Sequence, residues 1–329
     1  MCSTPTARWV TGKRKPIILI RFTMDKIKSL AGVLPVIQLP FHEDESIDWD
    51  TLSREIDWAY ENGGQGIVAA MVTEILRLTD AERDELASRL VEYNGGRGPV
   101  VMSIGDESTV QAVRHARAAA DAGVDALMAI PPAASQALLP EKIRYYEAII
   151  AATDLPVIVQ DASGYVGEAL PIDSQADLYT RFGERVLFKP EAQPLGPNLS
   201  KLRDAGGPGL KVFEGSGGIA LLDSYRRGIF GTMPGTEIVW AIRAEWDALE
   251  AGDLARATEL QGLIAPLISL QQGLDGYLSV EKMLLQRQGV FPNRVIRGPV
   301  GFTLDPETED EATRLFDLLC KACGRRPIT

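Results

Sequence analysis

The strongest constraint on this fold is the regular alternation of short apolar runs with longer segments of helical periodicity. Strands that alternate with helices form βαβ units, and such units build a parallel sheet. Eight of these units over about 210 residues predict a (β/α)8 TIM barrel, an α/β fold. The GxGxxG turn of an open doubly wound sheet is absent after the first run. The eight apolar runs are 33–39, 66–71, 99–104, 126–130, 156–160, 186–189, 210–213 and 229–233.

The remainder of the chain extends the barrel at both ends. Residues 1–23 contain five basic residues and no acidic one, and we expect a basic, disordered tail over 1–30. The barrel is predicted over 31–238. Helices over 239–329 are expected to pack on it as part of the same structural unit. The segments with helical spacing are 80–93, 109–122, 141–152, 173–182 and 218–227 around the barrel, then 241–250, 254–270, 280–288 and 309–320.

Composition excludes several classes of function. The formal net charge is −11, which opposes nucleic-acid binding, and no apolar run is long enough to span a membrane. Only two histidines are present, so a His-rich metal site is not expected. Cys2, Cys320 and Cys323 form no disulfide framework, which favours a reducing cytoplasm, and a single CxxC is weak evidence for metal or redox chemistry. We expect His115 on a helix surface.

One lysine stands where a TIM barrel places its catalytic groups, at the carboxyl end of a strand. Lys189 follows three large apolar residues at the end of the sixth run. Burial favours the neutral amine, which attacks carbonyl carbon to form a Schiff base. On position alone, a structural lysine paired with Glu191 or with another carboxylate at the rim explains the pattern as well. Residues two apart on a strand share a face, so Lys189 and Glu191 are both expected to point inward.

Several motifs, taken in their order and spacing, link this chain to a known family. They are Gly32-Val33-Leu34-Pro35 with Pro40-Phe41, Leu155-Pro156-Val157-Ile158-Val159 with Gly167, Phe188-Lys189, Val212-Phe213-Glu214-Gly215, and Lys282, Gly289, Arg297 and Pro299. Together they resemble the dihydrodipicolinate synthase / N-acetylneuraminate lyase family of class I aldolases. The resemblance implies a barrel, Lys189 as Schiff-base nucleophile, pyruvate or another 2-oxo acid as substrate, no metal or organic cofactor, and a homo-oligomer, either a tetramer built from dimers or a dimer.

The chain departs from the family pattern at the substrate site. Gln160 stands at the position of the family's strand-five tyrosine, and an amide does not relay protons. The strand-two loop Gly-Thr-Thr-Gly-Glu is replaced by Ala70-Met71-Val72-Thr73-Glu74, and Tyr165 replaces an arginine. We therefore predict a lyase that acts on a 2-oxo acid by retro-aldol cleavage, condensation or dehydration, and not a true dihydrodipicolinate synthase.

These arguments select a set of candidate site residues and leave two alternative functions open. A pseudo-enzyme that binds small molecules without turnover is one alternative, and a barrel enzyme using Glu74 and Glu191 as an acid–base pair is the other. The catalytic candidates are Lys189, Gln160 and Glu191, and the substrate-binding candidates are Thr73, Glu74, Val72, Thr232, Gly215 and Ser216.

Overall fold

Eight parallel strands, ringed by helices, form the centre of the molecule. The computed structural model describes residues 27, 29–164 and 166–326, so the expected basic tail, apart from Ile27, Ser29 and Leu30, and Tyr165 lie outside the described residues. Each of the eight apolar runs overlaps one strand. The strands are β1 (Gly32–Val33), β2 (Ile67–Ala69), β3 (Val100–Ser103), β4 (Ala126–Ala129), β5 (Val157–Asp161), β6 (Val186–Pro190), β7 (Phe213–Glu214) and β8 (Gly231–Thr232).

The strands close on themselves in sequence order. One sheet runs from β2 to β6, and a second pairs β1 with β8 and β8 with β7. Parallel bridges between Val36 and Val68 and between Phe188 and Val212 join the two sheets at both seams. The predicted TIM barrel is thereby confirmed. All eight carboxyl ends meet at one mouth, the position that this fold uses for catalysis.

Eleven helices surround the barrel in the described part of the chain. The sequence placed one of them, α10, too far along: its segment 280–288 begins at Gly273, because a glycine-rich start hid the first two turns. The helices are α1 (Trp49–Glu61), α2 (Asp80–Asn94), α3 (Thr109–Ala122), α4 (Leu139–Ala152), α5 (Ile172–Phe182), α6 (Leu195–Gly206), α7 (Leu221–Arg226), α8 (Val239–Glu250), α9 (Leu254–Ser269), α10 (Gly273–Arg287) and α11 (Pro306–Ala322).

Side-chain alternation divides the core into two layers. Leu187 packs inside the barrel with residues such as Ile158 and Phe213. Phe188, one position later, packs outward against the helices. Since the strand period is two, Lys189 returns to the inner face. The sequence-based parity of β6 is confirmed.

The last four helices form an apolar cluster against one side of the barrel. Val33 of β1 and Leu221 of α7 belong to the same buried cluster as α8, α9, α10 and α11. This packing carries α10 to the barrel mouth. Among the described residues, no helix is long and apolar enough to cross a membrane.

His115 and Cys320 are both buried. His115 is buried, with 3% of its surface exposed, so its placement on a helix surface was wrong. It packs beside Arg83 and Asp80, and burial lowers its pKa. The CxxC lies at the end of α11, where burial raises the pKa of the Cys320 thiol to about 11. Both Cys320 and Cys323 are free thiols.

Candidate active site

A cavity opens at the carboxyl end of the barrel. Residues from five strand ends and from α10 line it, and two of its walls carry carboxylates. The lining residues are Val36, Ala70, Met71, Val72, Lys189, Glu191, Gly215, Gly217, Met233, Gly235, Leu274, Tyr277 and Glu281.

Three of the candidate residues meet at one side of this cavity. Lys189 Nζ lies 3.0 Å from Glu191 Oε1, and the Gln160 amide donates to Glu191 Oε2 at 2.7 Å. Lys189 and Glu191 are almost fully buried, and Gln160 is completely so. A carboxylate between an amine and an amide can hold or return the proton of the amine. The three catalytic candidates therefore form one hydrogen-bonded unit.

Backbone geometry fixes this unit in place. Gln160 and Lys189 are register partners on β5 and β6. Pro190 does not interrupt the pairing, because Glu191 N donates to Asp161 O at 2.8 Å. Gly215 lets the chain pass close to the lysine: a Cβ at this position would lie 2.4 Å from Lys189 Cε. A larger residue there would displace the amine.

The strand-two loop contributes only part of what the sequence suggested. Val72 lines the cavity together with Ala70 and Met71. The Thr73 hydroxyl is occupied by the backbone, since it donates to Ile37 O at 2.6 Å and accepts from Ala70 N at 2.9 Å. Thr73 is completely buried and does not belong to the described cavity wall. Its role is to hold the loop against the segment that follows β1.

Glu74 is held in a buried ion pair away from the cavity wall. Lys282 Nζ, on α10, lies 2.5 Å from Glu74 Oε1, and both side chains are fully buried. Glu74 Oε2 accepts from Arg297 N at 3.0 Å. Burial lowers the pKa of Lys282, and the adjacent Glu74 carboxylate opposes that shift. Glu74 is thus bonded to Lys282 and Arg297 and is not among the residues that line the cavity with Glu191, so this geometry does not support a Glu74/Glu191 acid–base pair.

Thr232 and Ser216 also turn away from the cavity. Their shared partner is Glu214, which accepts from Thr232 Oγ1 and Ser216 N at 2.6 and 2.7 Å and from the Ser216 hydroxyl. Phe213 and Met233 occupy the inner face, so their neighbours Glu214 and Thr232 face the helices. We therefore reassign Thr232 and Ser216 from substrate binding to the support of a buried carboxylate. Gly215 remains at the cavity.

Sequence reasoning missed three cavity residues on α10, namely Leu274, Tyr277 and Glu281. Tyr277 and Glu281 are one helical turn apart and line the cavity together. Burial and the nearby Glu281 and Glu191 carboxylates raise the pKa of the Tyr277 phenol. Burial and the neighbouring Glu237 raise the pKa of Glu281 well above its usual value. Their four-residue spacing was visible in the sequence, but nothing local placed this helix at the barrel mouth.

The described part of the chain has no group of three or more His, Cys, Asp or Glu residues arranged to hold a metal ion. Tyr165, which stands in place of the family's arginine, lies outside the described residues.

Comparison with known proteins places this barrel among relatives of low sequence identity. The profile of the dihydrodipicolinate synthetase family matches residues 29–319. The chain is 27% identical over 285 residues to an L-2-keto-3-deoxyarabonate dehydratase from Azospirillum brasilense, a match that covers 85% of this chain and 91% of the relative. It is 26% identical over 282 residues to a 4-hydroxy-tetrahydrodipicolinate synthase from Rhizobium meliloti (strain 1021), covering 84% and 94%.

Solved structures agree with the fold. A putative dihydrodipicolinate synthetase from Pseudomonas aeruginosa superposes with a TM-score of 0.82 at 23% identity, over 88% of this chain and 99% of that one. A structure described as the first monomeric dihydrodipicolinate synthase variant superposes with a TM-score of 0.79 at 18% identity, over 92% and 99%.

Proposed function

This chain belongs to the dihydrodipicolinate synthetase family, and from that membership we propose that it is a lyase that forms a Schiff base between Lys189 and a 2-oxo acid. The observation that carries the proposal is the buried Lys189–Glu191–Gln160 unit at the barrel mouth. The Lys189 amine lies 3.0 Å from a carboxylate oxygen, so a proton acceptor stands beside it. When the Lys189 ammonium group transfers a proton to this carboxylate, the neutral amine that remains is the nucleophile.

The proposed chemistry balances within this site. The Lys189 amine adds to the C2 carbonyl of the substrate, and water leaves as the C=N bond forms. The positively charged iminium withdraws electrons from C3, so a C3 proton or the C3–C4 bond is released without a metal ion. Glu191 accepts and returns the protons of the amine, and Gln160 holds Glu191 in place. Water then hydrolyses the imine and frees the lysine.

The substrate is proposed at the level of a class. Gln160 in place of the strand-five tyrosine argues against the synthase reaction, because its proton relay is missing. The relative named as a dehydratase acts, by its name, on a 3-deoxy-2-oxo sugar acid. The class to test here is therefore a 2-oxo acid that carries a hydroxyl group on C4. Such an acid can lose water, or its C3–C4 bond can be cleaved or formed.

The test is borohydride trapping of the imine. The full-length protein is incubated with pyruvate and with a panel of 3-deoxy-2-oxo acids, reduced, and analysed by intact-mass and peptide mass spectrometry. We expect one reduced adduct per chain, mapped to Lys189. Lys189→Met should abolish it.

Lys211→Met is the matched control. Lys211 precedes β7 at the opposite end of the barrel and pairs with Glu184 at 3.3 Å, so its loss should leave the adduct unchanged. Absence of an adduct in the folded wild-type protein with every acid tested would refute the Schiff-base lyase and favour a binding protein without turnover. An adduct that survives in Lys189→Met would assign the chemistry to another lysine.

Assembly and location complete the proposal. A homo-oligomer is proposed from the family resemblance, although one structural neighbour is described as monomeric, and light scattering after size exclusion tests it. A cytoplasmic location is proposed from the cysteine usage, and fractionation of the source cells tests that.

A further inference from the structure

A second pair of carboxylates converges at the cavity wall, apart from Lys189 and Glu191. A Cβ on Gly235 would lie 2.1 Å from Glu237 Oε2 and 2.7 Å from Glu281 Oε1. Both oxygens therefore lie within 2.7 Å of the same position beside the Gly235 backbone, and the absence of a side chain at Gly235 makes room for both. Glu281 and Gly235 line the cavity.

The hydrogen bonds of Glu281 determine which of its oxygens is available. The Gln38 amide nitrogen donates to Glu281 Oε2 at 2.8 Å and to Val36 O at 3.1 Å. An amide nitrogen only donates, so Glu281 Oε2 acts as an acceptor. A proton on this carboxyl group consequently resides on Oε1, the oxygen beside Gly235.

The surroundings oblige the pair to hold a proton. Glu237 is completely buried, and the interactions that favour its charged form come from its own backbone N–H and from the Gln271 side chain. Lys282 follows Glu281 in sequence but pairs with Glu74, and no described ion pair reaches Glu237 or Glu281. When two buried carboxyl groups lie close together, ionising both is unfavourable, so one of them keeps its proton. Burial raises the pKa of Glu237 to about 7, in agreement with this arrangement.

We infer that Glu281 is a catalytic acid that protonates the departing hydroxyl group of the substrate. The inference rests on the proposed Schiff-base function and deepens it, because it selects dehydration over retro-aldol cleavage. Cleavage needs a group that accepts the proton of the C4 hydroxyl, whereas elimination needs one that donates. Glu281 would also provide the acid–base group that an amide at Gln160 does not provide.

The step balances without any further reactant. Once it has returned the amine proton, Glu191, 3.0 Å from Lys189 Nζ, accepts a proton from C3, and the enamine that results on Lys189 shifts its C2=C3 electron pair toward C4. The C4–O bond breaks, and the hydroxyl group takes the proton from Glu281 Oε1 and leaves as water. A C3=C4 double bond forms, the iminium is restored, and Glu281 regains a proton from Glu237 or solvent. Nothing is oxidised or reduced.

The experiment separates this acid from the imine chemistry. Wild type, Glu281→Gln, Glu281→Asp and Glu55→Gln are each assayed for borohydride-trapped adduct with pyruvate. Each is then assayed for loss of water from five- and six-carbon 3-deoxy-2-oxo acids with a 4-hydroxyl group. Glu55 is the matched control, since it is a buried glutamate that accepts from Gln38 N at 2.9 Å and is not among the described cavity-lining residues.

Glu281→Gln should keep the adduct but lose dehydration by about 100-fold or more, the usual contribution of a general acid. Glu281→Asp should retain more activity than Glu281→Gln, and Glu55→Gln should dehydrate within about threefold of wild type. The inference is overturned if Glu281→Gln dehydrates as wild type does. It is also overturned if that variant loses adduct and turnover in parallel, or if wild type forms the adduct but dehydrates none of these acids. A wild type without any adduct would instead refute the Schiff-base function itself.

Discussion

Replacing Lys282 with methionine tests how the strand-two loop is fixed to α10. Lys282 is fully buried, pairs with Glu74 Oε1 at 2.5 Å and donates to Val295 O at 2.7 Å. Methionine fills a similar volume but leaves the Glu74 carboxylate in the core without its nearest cation. The remaining partners of Glu74 are Arg297 N at 3.0 Å and the Arg77 guanidinium at 3.4 Å.

Breaking a buried ion pair by removing one partner costs about 3–5 kcal/mol, since an uncompensated charge stays buried. The two remaining donors on Glu74 place the expected cost near the lower end, at about 3 kcal/mol. An unfolding entropy of about 2.1 cal/mol/K per residue converts this into a drop in melting temperature of roughly 4 °C for a chain of this length.

The assay is thermal unfolding of wild type, Lys282→Met, Glu74→Gln and the double variant, at one pH and one protein concentration. The double variant carries an uncharged amide in place of the Glu74 carboxylate. We therefore expect it to be more stable than Lys282→Met alone, so that the losses do not add. Lys201→Met, at an exposed lysine, is the control and should melt as wild type does. A Lys282→Met variant within about 1 °C of wild type, or strictly additive losses, would refute a stabilising ion pair.

Substitutions at Gly215 and Glu55 test the packing around Lys189 and the protonation of a buried carboxyl group. The Cβ of Gly215→Ala would lie 2.4 Å from Lys189 Cε, so it should displace the amine and lower the yield of trapped adduct about tenfold or more. Gly262→Ala is the control, because a Cβ there meets nothing within 4 Å, and it should leave the adduct yield unchanged. Equal yields would contradict the close packing. Burial raises the pKa of Glu55 from 4.5 to about 8, so the folded protein binds this proton more tightly than the unfolded chain. The protonated Glu55 carboxyl group therefore contributes on the order of 5 kcal/mol to the free energy of unfolding. This contribution is fully present below about pH 4.5 and is lost as the pH rises through about 8. The melting temperature of Glu55→Gln should therefore rise relative to that of wild type as the pH increases. A melting-temperature difference between the two proteins that does not change with pH would contradict the prediction.

Local periodicity was sufficient for the fold and for one side of the site. Alternating apolar runs and helices specify a parallel barrel, because each strand must be covered by the helix that follows it. The two-residue period of β6 then directs Lys189 and Glu191 inward with Leu187. These properties depend on residues close together in the chain, so the sequence alone determined them.

Position at a strand end was not sufficient for the other candidates. Thr73 follows the second apolar run and Thr232 lies near the end of the eighth, yet each hydroxyl is bonded within the scaffold, to Ile37 O and to Glu214. Whether a polar side chain is free to contact substrate depends on whether a neighbouring residue of the folded chain already forms a hydrogen bond with it. Glu214 lies 18 residues from Thr232, and neither residue type predicts that contact.

The helix at the barrel mouth was decided only by tertiary structure. Glu281 meets Gln38 across 243 residues of sequence, and Lys282 meets Glu74 across 208. Packing of the last four helices against β1 and α7 brings α10 there, and this packing depends on the shape of buried apolar surfaces from distant segments. The barrel and the position of Lys189 follow from short-range periodicity, so both could be predicted from the order of the residues. The second carboxylate at the cavity required the folded chain, because long-range packing placed it.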